Sequence, residues 1–333
     1  MKKLTLHIVA LLLGTSAVGQ ILPNFGGQRA GLSTLTFLKN NMNPRSVGMS
    51  GASVALPGDA MSVYTNPAAV ADVHELTFAT SNYFVGAGAN QALLSSIVPV
   101  GAASAFGFSM NALTSGEMEV RTEFQPEGTG QKTYANNVAL GVGYSMQLSD
   151  QFSFGVNMKY IYEQLAEYYN HTAAVDIGFK YNTDFKDLSF AVAMQNFSGN
   201  SSLTGDHLEV DFNRTRGFGL ENYTLPNVFK LGVSMKPLEM DKHSLYTLFE
   251  LQHPNDNAEN YRFGVEYDYM EMFQVRAGYA FNIFGQNLPT FGFGFRKNMG
   301  AHPMQINYAA NPTQYLGLQH VVSLALSINK MER

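Results

Sequence analysis

The side chains that could do chemistry are scattered along the chain and meet no known catalytic spacing. Eight histidines occur, His7, His74, His171, His207, His243, His253, His302 and His320. None stands at the H-x-x-x-H or H-E-x-x-H interval that turns two ligands toward one metal. Cysteine is absent, so a thiolate zinc site and a disulfide framework are both excluded. The nearest approach to a nucleophile elbow is Gly48-Met49-Ser50-Gly51-Ala52, which lacks the closing glycine of G-x-S-x-G. Its small residues suit close packing better than catalysis. Gly141, Gly143, Gly155, Gly292 and Gly294 lie within alternating segments rather than strand-to-helix turns, so they do not cradle a phosphate. They are expected to let another part of the chain or a ligand approach, or to relieve a bend. Asp256 and Asn257 follow His253-Pro254-Asn255 at a spacing that is not a calcium loop, and read as a solvated loop. No enzyme, metal or cofactor is expected.

The elements that must position these residues are long strands. Phe152, Phe154, Val156, Met158, Tyr160 and Tyr162 share one face, with Ser153, Gly155, Asn157, Lys159 and Glu163 on the other. The same two-residue period returns at Val138–Met146, Tyr261–Tyr269 and Phe273–Phe281. Successive strand side chains point to opposite faces, so each segment has a greasy face and a polar, glycine-rich face. Runs of about ten residues or more are long for soluble strands and suit a tilted membrane crossing. The fold class expected is all-β, a transmembrane antiparallel barrel.

The ends and the composition agree. Lys2 and Lys3 precede the apolar run Leu4–Leu13, and Ala17-Val18-Gly19 offers small residues for cleavage before Gln20. Residues 1–19 therefore read as a signal peptide, too short in its apolar part to span a bilayer. Hydrophobic residues make up 45% of the chain while mean hydropathy is only −0.09, so the apolar residues are dispersed, as in a membrane barrel. Removing Lys2 and Lys3 leaves 19 basic against 26 acidic side chains, a net −7, which argues against nucleic acid as a partner. The expected location is the outer membrane of a Gram-negative bacterium, with lipid as the surrounding partner.

Residues 20–72 break the pattern. They are rich in Gly, Ser, Ala and Asn with no sustained period of two. Asp59 is placed to cap one helical turn, and Asn66-Pro67 reads as an N-cap followed by proline at the first helical position. A segment so small and polar cannot build its own core and is expected to plug the barrel or lie across its mouth. Residues 73–328 then form the barrel, and 329–333 a short tail. Fourteen strands are expected, near 74–84, 90–99, 103–113, 134–147, 151–164, 168–182, 187–197, 226–235, 244–252, 259–269, 273–284, 289–298, 303–310 and 318–328. Met118–Phe124 would make a fifteenth, and the even strand number of single-chain barrels argues against it. Short and long connections broadly alternate, with exceptions at the tight hairpin near Ala166 and the eight-residue join after Met235.

Within the strands the charges fall on the polar face: Lys159, Glu163, Asp176, Lys180, Lys230, Glu250, Arg262, Glu266, Asp268, Arg276 and Arg296. At mid-depth, a Lys or Arg facing lipid would cost about 2–4 kcal/mol. A hairpin turning at Glu271 would set Glu266 opposite Arg276. Lys159, Asp176, Glu266, Arg276 and Arg296 are expected mainly to knit wall and plug together.

Several stretches carry a family resemblance. Phe37-Leu38-Lys39, Pro44–Ala52 with Arg45, Gly48 and Gly51, and Gly58–Ala68 with Asp59, Asn66, Pro67 and Ala68 resemble the N-terminal signature of the PorV/PorQ family. Phe154–Ile161, Leu225-Pro226 and Arg276–Tyr279 extend it, and His253–Asp256 is closer to the PorV branch. The family is related to the long-chain fatty acid transporter barrels. The resemblance implies a fourteen-stranded barrel and a place in type IX secretion, where such proteins collect secreted cargo by its C-terminal domain and carry it to an attachment complex. The apolar Leu203, Phe212, Phe218, Leu220 and Tyr223 of the longest loop are candidate partner contacts. The alternative is a channel or carrier for hydrophobic small molecules, which predicts a continuous apolar pocket between plug and wall.

Overall fold

The computed structural model describes residues 31–86, 88–205, 221–300 and 302–328. Where the sequence alternates, the chain forms strands. The first eight are β1 (Leu76–Gly86), β2 (Ala89–Val100), β3 (Ser104–Thr114), β4 (Met118–Glu119), β5 (Lys132–Thr133), β6 (Ala135–Gln147), β7 (Phe152–Leu165) and β8 (Tyr168–Asn182). The rest are β9 (Ser189–Phe197), β10 (Val228–Met240), β11 (His243–Pro254), β12 (Asn260–Tyr269), β13 (Phe273–Phe281), β14 (Thr290–Met299), β15 (His302–Thr313) and β16 (Gly317–Ile328). Among the described residues, fourteen of them close into one antiparallel barrel, with β1 paired to β16. Closure leaves no open sheet edge, the condition for backbone to cross hydrocarbon as strands. No described helix is long and apolar enough to cross a membrane.

The two faces of the wall separate as the alternation requires. Phe108, Leu140, Val142, Met158, Tyr160, Phe263 and Val275 lie exposed on the outside. Asn157, Lys159, Asp176, Glu250, Glu266 and Arg276 are buried on the inside. The expected pairing of Glu266 with Arg276 is the register found, around a turn in which Met270 and Glu271 both take positive φ.

Two expectations need correction. The Met118–Phe124 stretch contributes only β4, which pairs with β5 as a two-stranded sheet of its own within the β3–β6 connection. The eight-residue join after Met235 does not exist. Strand β10 continues to Met240 and turns at Asp241-Lys242, so this end of the barrel has only short connections among those described. The ladder shifts register between Met235 and Leu238, where Pro237 has no N–H to donate. A bulge there breaks the two-residue period without ending the strand.

Residues 31–75 lie against the inward-facing side chains of the wall. At one extreme, Thr34 donates its N–H to the Thr224 carbonyl in the connection between β9 and β10. At the other, Asp72 pairs with Lys180 near the turn that follows β8. The segment thus runs from the loop end of the barrel to the turn end before entering β1.

Candidate functional site

The inside of the barrel holds the candidate site, and the N-terminal segment shapes it. Pro44–Val47 forms one helical turn, with the Asn43 side chain accepting from the Arg45 N–H at 3.0 Å. The turn stops at Ser50 and Gly51, both at positive φ, where Gly51 N–H reaches the Ser46 carbonyl at 2.8 Å. Asn66 caps the 3-10 turn Pro67–Asp72, accepting from Ala68 N–H at 3.0 Å and donating to the Val54 carbonyl at 2.7 Å. Asp59 joins the Pro44–Val47 turn to another, Ser62–Thr65: it accepts from Met61 N–H at 2.8 Å and from the Asn43 amide at 2.8 Å. Short caps replace the ladder that a strand would provide.

Wall side chains satisfy the segment's remaining backbone groups. Glu250 Oε2 accepts from the N–H groups of Ser53 and Val54 at 2.6 and 2.8 Å. Gln195 Nε2 donates to the carbonyls of Tyr64 and Thr65 at 2.8 and 2.9 Å. Ser95, Ser145 and Ser234 each donate to a segment carbonyl, those of Ala60, Ala68 and Ala55. Buried backbone polar groups must find such partners.

Close approach depends on wall residues without side chains. A Cβ on Gly155 or Gly178 would overlap the Asn66-Pro67-Ala68 turn, and one on Gly278 would overlap the Met49–Ser50 backbone. Gly292 faces Gly48, backbone to backbone. Gly141 and Gly294 instead make room for neighbouring wall side chains, Ser109 and Asn307 among them.

Charges lock the contact. Glu266 accepts from Arg45 Nη2 at 2.7 Å and from Arg276 Nε at 2.6 Å, so one wall carboxylate holds a segment cation and a wall cation. Burial by itself lowers the Arg45 guanidinium, but the adjacent Glu266 carboxylate outweighs it and holds Arg45 above the ordinary arginine value. Lys159 pairs with Asp176 at 2.7 Å and donates to Asn196 at 2.8 Å. Arg296 lies apart from this cluster, exposed near the turn end and bonded to Gln305. The Asp256 loop is not solvated as expected. Asp256 is buried and binds Lys39 at 2.6 Å and Ser33, tying the segment to the loop end. Among the described residues no group of three or more His, Asp or Glu side chains could hold a metal.

Among the described residues, two internal spaces stand out. One, of about 460 Å³, opens at the turn end among Arg45, Asp59, Asp72, His74, Glu75 and Arg296. The other, of about 220 Å³, lies at the loop end among Lys39, Tyr64, Lys230, Gln252, Asn260 and Arg262. They share no lining residue, and the fully buried Met42, Met49, Val63 and Asn66 belong to the packed segment.

A model of the family described as type IX secretion system protein PorV matches residues 26–221, more than half of the chain. The chain belongs to the PorV family. No curated protein sequence matches it. Among solved structures, the barrel resembles the Pseudomonas putida toluene transporter TodX, with 12% identity, TM-score 0.54, and coverage of 86% of this chain and 96% of that one. A FadL homologue from Pseudomonas aeruginosa gives 14%, 0.57, 91% and 100%. The CymD monoaromatic hydrocarbon channel gives 14%, 0.56, 92% and 100%. At these identities the likeness is one of fold, a FadL-like outer-membrane barrel.

Within this PorV-family barrel the signature residues Arg45, Gly48, Gly51, Asp59, Asn66, Pro67 and Ala68 come together as the segment's caps, turns and wall contacts. Lys159 with Asp176, and Glu266 with Arg276, form two inner clusters. Of the loop residues, Leu203 and Tyr223 are half-buried, in a stretch where Ser201 bridges Tyr223 and Thr204 bridges Tyr169. Phe212, Phe218 and Leu220 lie outside the described residues. Sequence reasoning missed the apolar inner patch of Phe37, Leu38, Ile161 and Leu225. Its signal was Ile161, an aliphatic residue on the polar face of β7.

Proposed function

We propose that this chain is a non-enzymatic component of type IX secretion, a cargo shuttle or attachment-complex subunit, with its N-terminal segment acting as a plug. Membership of the PorV family carries the proposal. The packed interior supports it, because a shuttle needs a rim that cargo can reach and no open pore. The 115–134 connection and the described parts of 198–227 are the proposed rim, with Leu203 and Tyr223 as contacts there, and Phe212, Phe218 and Leu220 are proposed contacts that lie outside the described residues. The expected partners are secretion components and the C-terminal domains of secreted cargo. Pull-down of the tagged protein from solubilised outer membrane tests this reading, and recovery of neither cargo nor secretion components would sink it.

The rival is a carrier for hydrophobic small molecules, favoured by fold likeness to barrels described as toluene transporters and hydrocarbon channels. It needs a continuous apolar path between segment and wall. The two internal spaces named above have charged and amide linings with no residue in common, which weighs against it. A labelled alkane or monoaromatic retained by the purified protein would reverse that weighting.

A further inference from the structure

The loop-end cavity has an imbalance of charge. Among the described residues, three cations line it, Lys39, Lys230 and Arg262, and no carboxylate does. Lys39 is answered by Asp256 at 2.6 Å. Among the described residues, Arg262 donates to two neutral acceptors, the Asn260 amide oxygen and the Ser50 carbonyl, both at 2.8 Å. Lys230 is half-buried and makes no hydrogen bond or ion pair with any described residue. The carboxylate across the ladder from Arg262 is Glu250, whose oxygens are taken by the Ser53 and Val54 N–H groups and by Gln252. Among the described residues, counting Glu250 against Lys230 and Arg262 leaves one positive charge in excess. Lys230 is only partly withdrawn from water, and a bound anion would supply the charged hydrogen bond that its ammonium lacks among the described residues.

We propose that this cavity binds one small carboxylate, seated between the Lys230 ammonium and the Arg262 guanidinium with amide donors from Gln252 and Asn260 around it. A single excess charge matches a monoanion better than a phosphate dianion. Drug-sized pockets run to about 300–1,000 Å³, so a space of about 220 Å³ fits a small polar group rather than an acyl chain. Ammonium and guanidinium donors give carboxylates their short, charge-assisted bonds. The carboxylate is either a free small acid or the end of a peptide chain. The inference rests on the cavity alone and stands or falls separately from the secretion reading.

Calorimetric titration of the full mature protein in detergent tests it, using acetate, inorganic phosphate, and a short peptide with either a free or an amidated C-terminus. Saturable acetate binding is expected, weakened about tenfold or more by Lys230→Gln and by Arg262→Gln, as loss of a charged hydrogen bond implies. Lys39→Gln should weaken it by less than about threefold, because Asp256 already holds that ammonium. A free-acid peptide that binds far better than acetate, with loss on amidation, identifies a chain end. Equal binding of acetate and peptide identifies a free acid. Lys230 has no described partner to lose, so Lys230→Gln should keep the heat-modifiable gel mobility of a folded barrel even if Arg262→Gln does not. The proposal is overturned if neither acetate nor peptide saturates, if phosphate binds more tightly than both, or if folded Lys230→Gln binds like the parent.

Discussion

The wall and the segment inside it are held by different physics. The wall repeats one device, an alternating strand with a ladder on both sides, fourteen times among the described residues. The segment has no ladder and no period. It is fixed at separate points, a carboxylate on two N–H groups, an amide on two carbonyls, a glycine against a turn. A wall strand shares its load with two neighbours, whereas each segment contact stands almost alone. Point changes should therefore release the segment while leaving the barrel closed, and protease resistance of residues 31–75 can be read against heat-modifiable mobility of the whole.

The largest separation is expected from Glu266→Ala. Removing it leaves the buried Arg276 and the half-buried Arg45 without their shared partner, and breaking a buried pair such as Glu266–Arg276 costs about 3–5 kcal/mol. Residues 31–75 should become protease-sensitive while the barrel keeps its folded mobility. Loss of both would show that the cluster belongs to the wall. Val142→Lys reverses the comparison. Val142 is exposed on the outer face, where a lipid-facing lysine costs up to about 2–4 kcal/mol according to depth. Barrel assembly into vesicles should fall, and the fraction that folds should keep a resistant segment.

Gly278→Val tests close approach. Its added carbons meet the Met49–Ser50 backbone, which cannot swing away as a side chain can. Overpacking of this kind costs about 1–3 kcal/mol, so cleavage of the segment should rise less than in Glu266→Ala. Asn66→Ala removes a cap and a donor to Val54, and loss of a cap costs about 0.5–2 kcal/mol. Unchanged protease resistance in that variant would show that Pro67 alone sets the turn.

The same contrast explains what could be read from the sequence. All fourteen wall strands were legible because period-two alternation is local, and even the Glu266–Arg276 pairing followed from one turn position. The error at Lys236-Pro237 arose where a bulge interrupts the period inside a continuous strand. The caps at Asp59 and Asn66 were legible too, since a cap is read from neighbouring residues. What was not legible was contact across the lumen. Nothing local says that Asp256 binds Lys39, or that Lys230 has no hydrogen-bonded partner among the described residues while Glu250 serves Ser53 and Val54. Those pairings are set by how the segment threads the barrel.

The smallest effect should come from the exposed pair Glu117–Lys132, in the connection that carries β4 and β5. Hydrogen bonding to Lys132 and its charge hold the Glu117 carboxyl below the ordinary carboxylate range. A carboxyl lowered on folding stabilises above its unfolded value, and that contribution fades as pH falls through the folded one. The window therefore lies at and below the ordinary carboxylate pKa of about 4. Both side chains are in water, so salt screens the pair and neither segment nor wall depends on it. Glu117→Gln should leave barrel mobility and resistance of residues 31–75 unchanged at neutral pH, with only a slight rise in cleavage within 115–134. If it freed the segment, the connection would have to reach into the lumen, and the division between a periodic wall and a point-fixed interior would need a third, coupled part.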